Sequence, residues 1–196
     1  MVPRLWPEST IVCIGSGPSL IAADVYLAKT APVRTLAINT AYQWVPSPDV
    51  LVGADAKWWG WHPDAVALPS LKFSLQQTPY PQVIPLTWTT GDGIDLDPTR
   101  VRGGGHSGYA AINVAVHLGA RTIVLLGYDL APNAHGDDHC HAPHPDGSHL
   151  QYAHRREIYR TLLAPLADRG IRIVNASRET TVPEIPRLSL AEAVAG

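Results

Sequence analysis

Short apolar runs alternate along the chain with stretches of helical periodicity. Thr10–Ile14 (TIVCI), Arg34–Ile38 (RTLAI), Asp49–Val52, Leu71–Ser74, Thr122–Leu126 and Ile171–Val174 are brief, continuous and rich in branched residues. That is the pattern of strands covered on both faces. Gln82–Leu86 reads as a further strand. Between them, the loop GSGPSL leads into a helix that runs to about Lys29, with Ser16 or Ser19 as its cap. A second helix has Ser107 as its N-cap, carries Ile112, Ala115 and Val116 on one face, and stops at Gly119. A third spans about Gln151 to Asp168 with Ile158, Leu162 and Leu166 on one stripe; Pro165 should kink it and Gly170 end it. Strands and helices in alternation predict an α/β fold, a doubly wound, mostly parallel, Rossmann-like sheet, with residues 1–196 forming one domain.

Composition narrows the class. The chain has 196 residues, enough for a full core, and 18 prolines that fall mostly between the periodic segments. Its net charge of −2, with no Lys/Arg run, leaves no electrostatic footprint for nucleic acid, so no nucleic-acid partner is expected. Cys13 and Cys140 make no disulfide framework, and a reducing, cytoplasmic setting is the expectation. No apolar run approaches the roughly 20 residues of a membrane span, and MVPRLWPEST lacks a signal-peptide core. Oligomeric state is left open, with a homo-oligomer allowed.

The residues that follow the strands carry the chemistry. Ser16-Gly17, Asn39, Asp55, Gly127 with Asp129, and Asn175 or Ser177 each sit at a strand's carboxyl end, where open α/β sheets bind ligands. GSGPSL is not a dinucleotide fingerprint, because Leu20 replaces the third glycine and Asn39, not an acid, ends the second strand; the lysine of a phosphate-binding P-loop is also missing. Asn39 can donate and accept at once, which suits a nucleobase edge or a sugar hydroxyl, or else an Asx turn. Trp58, Trp59 and Trp61 offer either a stacking platform or an anchor to the sheet. The stretch Gly103–Asp129 reads as a glycine-rich loop, a helix and a strand, presenting a helix N-terminus to an anion or simply turning the chain.

The segment HGDDHCHAPHPDGSH, His135 to His149, holds five histidines, one cysteine and three aspartates. It could ligate zinc, but a lid over residues 131–150 with no metal or other cofactor is the expectation, because adjacent ligands seldom close a tetrahedron. His149 and His154 flank the start of the last long helix, where a general base would suit; His154 could equally pack on that helix. No G-x-S-x-G motif is present.

Together GSGPSL, Asn39, HSGYAAINVAVHLGARTIVLLGYDL and a histidine before the final helix and strand resemble one group. It is that of the bacterial sialyltransferases of glycosyltransferase family 42 and related flagellin-modifying proteins. The resemblance implies a metal-independent, inverting glycosyltransferase that moves a sugar from a CMP-linked donor to the hydroxyl of a glycan or other acceptor. It places Ser16, Gly17, Asn39, Asp55, Ser107, Gly127 and Asp129 against the nucleotide-sugar donor, and makes His154, or else His149, the base. This chain departs from the pattern in three ways. Ala131 stands where one leaving-phosphate tyrosine belongs, and the second such position falls in the His/Asp segment. Gly104 replaces an arginine, and Ser16 and Asp55 replace asparagines. Two other readings stay open: a pterin diphosphokinase-like enzyme using Mg–ATP at HGDD and Asp129, and a non-catalytic nucleotide- or sugar-binding module with a zinc-binding loop.

Overall fold

A computed structural model describes residues 1–142 and 152–195, the side chains of 152–154 excepted. Its main sheet has seven strands: β1 (Ser9–Ile14), β2 (Arg34–Ile38), β3 (Val50–Val52), β4 (Leu71–Ser74), β5 (Val83–Pro85), β8 (Ala120–Leu126) and β9 (Arg172–Asn175). They lie in the order β5-β4-β3-β2-β1-β8-β9, and every neighbouring pair is parallel. The α/β, Rossmann-like architecture is therefore as expected.

Both faces of this sheet are covered, which is why its strands read as unbroken apolar runs. Ile11 and Cys13 of β1 point to one core, with Leu36, Ile38, Ile123 and Leu125. Val12 and Ile14 point to the other, with Ala37, Leu51, Val124 and Leu126. The first core is centred on α4 (Ser107–Leu118), whose residues from Tyr109 to Val116 are all buried. A helix buried nearly all round needs partners on every side. Its outer face is covered by a two-stranded parallel ribbon, β6 (Thr87–Thr89) and β7 (Arg100–Arg102), and by Tyr159, Leu162 and Leu166. The second core is covered by α1 (Ala22–Thr30), α2 (Ala56–Trp61), α3 (Pro63–Ala67) and α7 (Leu190–Val194).

Asn113 ties the ribbon to α4. It is fully buried; its Oδ1 accepts from the N–H of Asp95 and of Arg102, both at 2.9 Å, and its Nδ2 donates to Asp95 O at 2.9 Å.

Several helix ends differ from their sequence readings. Neither Ser16 nor Ser19 caps α1: its N-cap is Ile21, which has no side-chain cap. Ser19 Oγ instead accepts from Glu179 N–H at 3.3 Å, while the Ser19 N–H donates to Asp129 Oδ2 at 2.7 Å. Ser107 is the first helical residue of α4 and not its cap, a position that His106 occupies. Gly119 does stop α4, in the left-handed region at φ +105. The single helix expected over Gln151–Asp168 is three pieces: α5 (Tyr152–Glu157), a 3₁₀ turn (Ile158–Leu162) and α6 (Leu163–Ala167). Pro165 has no N–H for the Thr161 carbonyl and crowds it, so the turn before it tightens instead of continuing. No helix among the described residues is long and apolar enough to cross a membrane.

Candidate functional site

The chain leaves β1 for β2 on one side and later returns to place β8 on the other, so the strand order reverses between β1 and β8. A crevice is expected at the carboxyl ends of those two strands. Here the two turns meet backbone to backbone. Gly15 N–H donates to Leu126 O at 2.8 Å and Gly17 N–H to Gly127 O at 2.9 Å. A Cβ on Gly15 would stand 2.7 Å from Gly127 O, and one on Gly127, at φ +68, 2.6 Å from Gly15 O. Only glycine permits this approach at both positions.

Above this contact lies a cavity of about 390 Å³, and Ser16, Gly17, Asn39, Asp55, Ser107, Gly127 and Asp129 all line it. The structure thus brings these positions together from segments far apart in the chain, but not the strand-end pair Asn175 and Ser177: both are buried away from the cavity, Asn175 Nδ2 donating to Thr180 Oγ1 at 3.0 Å and Ser177 Oγ accepting from Tyr128 N–H at 2.8 Å. Asn39, in the left-handed region at φ +47, clamps its neighbours: its Nδ2 donates to Ser107 Oγ at 3.1 Å and its Oδ1 accepts from Ala54 N–H at 3.3 Å. One amide hydrogen and one lone pair are left for a ligand. Asp129 is 3% exposed; besides the Ser19 contact, its Oδ1 has no hydrogen-bond partner among the described residues and would lie 2.3 Å from a Cβ on Gly17. Burial pushes its carboxyl above the usual carboxylate range. Asp55 is exposed, at the N-cap position of α2, and makes no side-chain cap there.

The tryptophans divide. Trp59 is fully buried and donates to Gly53 O at 2.9 Å, and Trp58, almost as buried, donates to Thr40 Oγ1 at 3.2 Å. Both anchor α2, although an edge of Trp58 reaches the cavity wall beside the half-buried Trp61. The exposed indole is one the sequence pattern did not single out. Trp88 is 51% exposed, lines the cavity, and lies so close over Gly103 that a Cβ there would be 2.0 Å from its Nε1.

His106, Arg155 and Tyr159 also line the cavity and were likewise missed. His106 packs against Tyr159 with ring centroids 5.4 Å apart. Burial first, and then the Arg155 cation, pushes its imidazole down to about 3, so it is neutral at ordinary pH. The signal available was position: His106 immediately precedes a helix that follows a glycine-rich loop.

Part of the His-rich segment is seen. Asn133 Oδ1 accepts from the N–H groups of His135 and Asp137 in a surface turn, both at 2.9 Å. Asp138 and His139 line the cavity, and Cys140 N–H donates to Ser16 O at 2.9 Å, which docks this stretch on the turn after β1. Among the described residues no group of three or more His, Cys, Asp or Glu side chains could hold a metal ion. His149 and the rest of the expected lid lie outside the described residues, as does the side chain of His154.

No family model matches the chain, and no curated protein sequence does. Its fold is similar to that of the solved MAf glycosyltransferase from Magnetospirillum magneticum AMB-1, with a TM-score of 0.63 and 15% identity over 95% of this chain. The match takes in 34% of that protein, so the chain spans about a third of its length. At that identity the likeness is one of fold: the chain has a glycosyltransferase-like α/β fold.

Proposed function

We propose that the chain is a glycosyltransferase domain that binds a nucleotide-activated sugar in the crevice beyond β1 and β8, with a CMP-linked donor favoured. The observation that carries this reading is the convergence of Ser16, Asn39, Asp55, Ser107 and Asp129 on one cavity beside the start of α4, in a fold shared with a glycosyltransferase. Asn39 suits a base or ribose edge, and Asp129 a hydroxyl. The first-turn N–H groups of α4 have no acceptor within the helix and suit a phosphoryl group.

The charge on the wall supports the choice of donor. Lys57 and Arg155 face Asp55, Asp129 and Asp138, and burial already drives Asp129 toward its neutral form. Such a near-balanced wall accommodates a singly charged phosphodiester more readily than a diphosphate. In the reaction the acceptor hydroxyl attacks the anomeric carbon as the bond from that carbon to the phosphate oxygen breaks. The acceptor proton passes to His154 or His149, and the nucleotide leaves with the electron pair.

The test is hydrolysis and thermal shift across CMP-, UDP- and GDP-linked sugars. The CMP-linked donors should give turnover and a raised melting temperature; silence with all of them refutes the reading. The placement of both Asp129 and Asp138 on the wall keeps a Mg–ATP diphosphokinase as the second reading, and activity that survives EDTA removes it.

A further inference from the structure

On the side of the cavity that meets α4, several polar groups have no hydrogen-bond partner among the described residues. His106 holds the N-cap position of α4, but its side chain does not cap the helix. Its Nε2 is buried with no hydrogen-bond partner among the described residues. The ring is fixed from two sides, with centroids 5.4 Å from Tyr159 and 6.4 Å from Tyr109. Tyr159 is fully buried, and its hydroxyl also lacks a partner among the described residues. Both groups border the same point: a Cβ on Gly108 would stand 3.2 Å from His106 Nδ1 and 3.2 Å from Tyr159 Oη. Glycine at 108 therefore keeps the first turn of α4 uncovered where the two rings approach it. Arg155 stands on the same wall, close enough for its cation to act on His106. Buried polar groups are nearly always satisfied in folded proteins, so a cluster that is not calls for a ligand.

We propose that His106 and Arg155, together with the first-turn N–H groups of α4, form a phosphoryl site that grips the non-bridging oxygens of the bound ligand. This rests on the nucleotide-sugar reading and adds residues that the strand-end pattern does not contain. Tyr159 is a positioning residue, packed against the imidazole at a tilt of 41°. The charged and titratable groups around His106 are Arg155, Tyr109 and Tyr159, and both phenols are pushed above their ordinary values by burial. With the imidazole itself held neutral, His106 contributes an N–H donor and no charge, and the grip on phosphate does not follow histidine titration.

Titration calorimetry with the 5′-methylphosphates of cytidine, uridine, adenosine and guanosine tests this, because a methylphosphate keeps one charge across the pH range. The wild-type protein should bind at least one of them about tenfold or more tightly than the parent nucleoside, as expected for charge-assisted hydrogen bonds. H106A and R155A should each lose most of that advantage and leave nucleoside affinity unchanged; H106Q, which keeps an N–H donor, should recover part of it. Across about pH 5 to about pH 9 the wild-type advantage should stay flat, whereas a histidine of ordinary pKa would strengthen it below about 6.5. Wild-type binding that H106A and R155A leave intact, or that tightens in acid, overturns this inference alone. Wild-type protein that binds none of the four removes the nucleotide-sugar reading as well.

Discussion

Replacing Gly127 by alanine isolates the contact on which the site is built. Two effects add. At φ +68 the new residue sits in the left-handed region, at a cost of roughly 1–2 kcal/mol. Its Cβ also meets Gly15 O at 2.6 Å and Gly15 C at 3.1 Å. Those are backbone atoms that cannot swing aside, because Gly15 N–H is bonded to Leu126 O and Gly17 N–H to Gly127 O. Overpacking of this kind adds about 1–3 kcal/mol, so the expected loss is about 2–5 kcal/mol. Gly105→Ala is the control. It has the same kind of backbone, at φ +76, but nothing lies within 4 Å of its added Cβ, so it carries only the roughly 1–2 kcal/mol of the left-handed region. Urea denaturation of both variants with an unchanged m-value separates the two contributions. In a domain of this size the Gly127 variant should melt roughly 10 °C lower than wild type. If Gly127→Ala costs no more than Gly105→Ala, the backbone contact between the β1 and β8 turns is not what shapes the crevice.

Three other changes have definite outcomes. Asn113→Ala strips partners from the N–H groups of Asp95 and Arg102 and from the Asp95 carbonyl; it should cost about 3–6 kcal/mol and raise amide exchange from Asp95 to Arg102, and exchange confined to other segments would count against it. Asp129→Asn keeps an acceptor for the Ser19 N–H and removes a carboxyl whose folded-state pKa is raised. A raised carboxyl contributes stability below its unfolded value, about 3.9, and loses it as pH rises through the folded value. The variant should therefore be the more stable protein at neutral pH, with the gap closing in acid; melting curves offset equally at every pH would contradict this. If either histidine is the base, His154→Ala or His149→Ala should lower transfer by about 10²- to 10⁴-fold while donor affinity holds; full transfer in both variants dismisses both residues.

What the sequence made legible follows from where each determinant lies. β1, β2, β8 and β9 were readable because burial on both faces turns a strand into an apolar run, a local mark. Most strand-end positions of the site were readable by a topological rule: parallel strands place their following residues on one edge, so Asn39 after β2 and Asp129 after β8 end up lining one cavity. Caps were misread for the opposite reason. Ser19 looks like a cap to its neighbours, but its Oγ is taken by the N–H of Glu179, 160 residues away. The β6–β7 ribbon has no periodic signature, since its strands are three residues each and contacts from distant residues, Asn113 among them, hold it in place. Trp58, Trp59 and Trp88 could not be sorted by type, because only packing decides which indole is buried.

The two sides of the cavity are built on different principles, and this decides where specificity can change. The β1–β8 side is backbone against backbone. Gly15, Gly17 and Gly127 leave no room for a side chain, so this side can hold a ligand close but cannot be retuned by substitution. The opposite side is made of side chains, His106, Arg155, Trp88, Asp138 and His139, carried by the start of α4, by α5, by β6 and by the loop after β8. None of these supports the sheet. A change there alters charge or stacking in the cavity at little expense to the two cores, whereas a change at the glycines alters the fold.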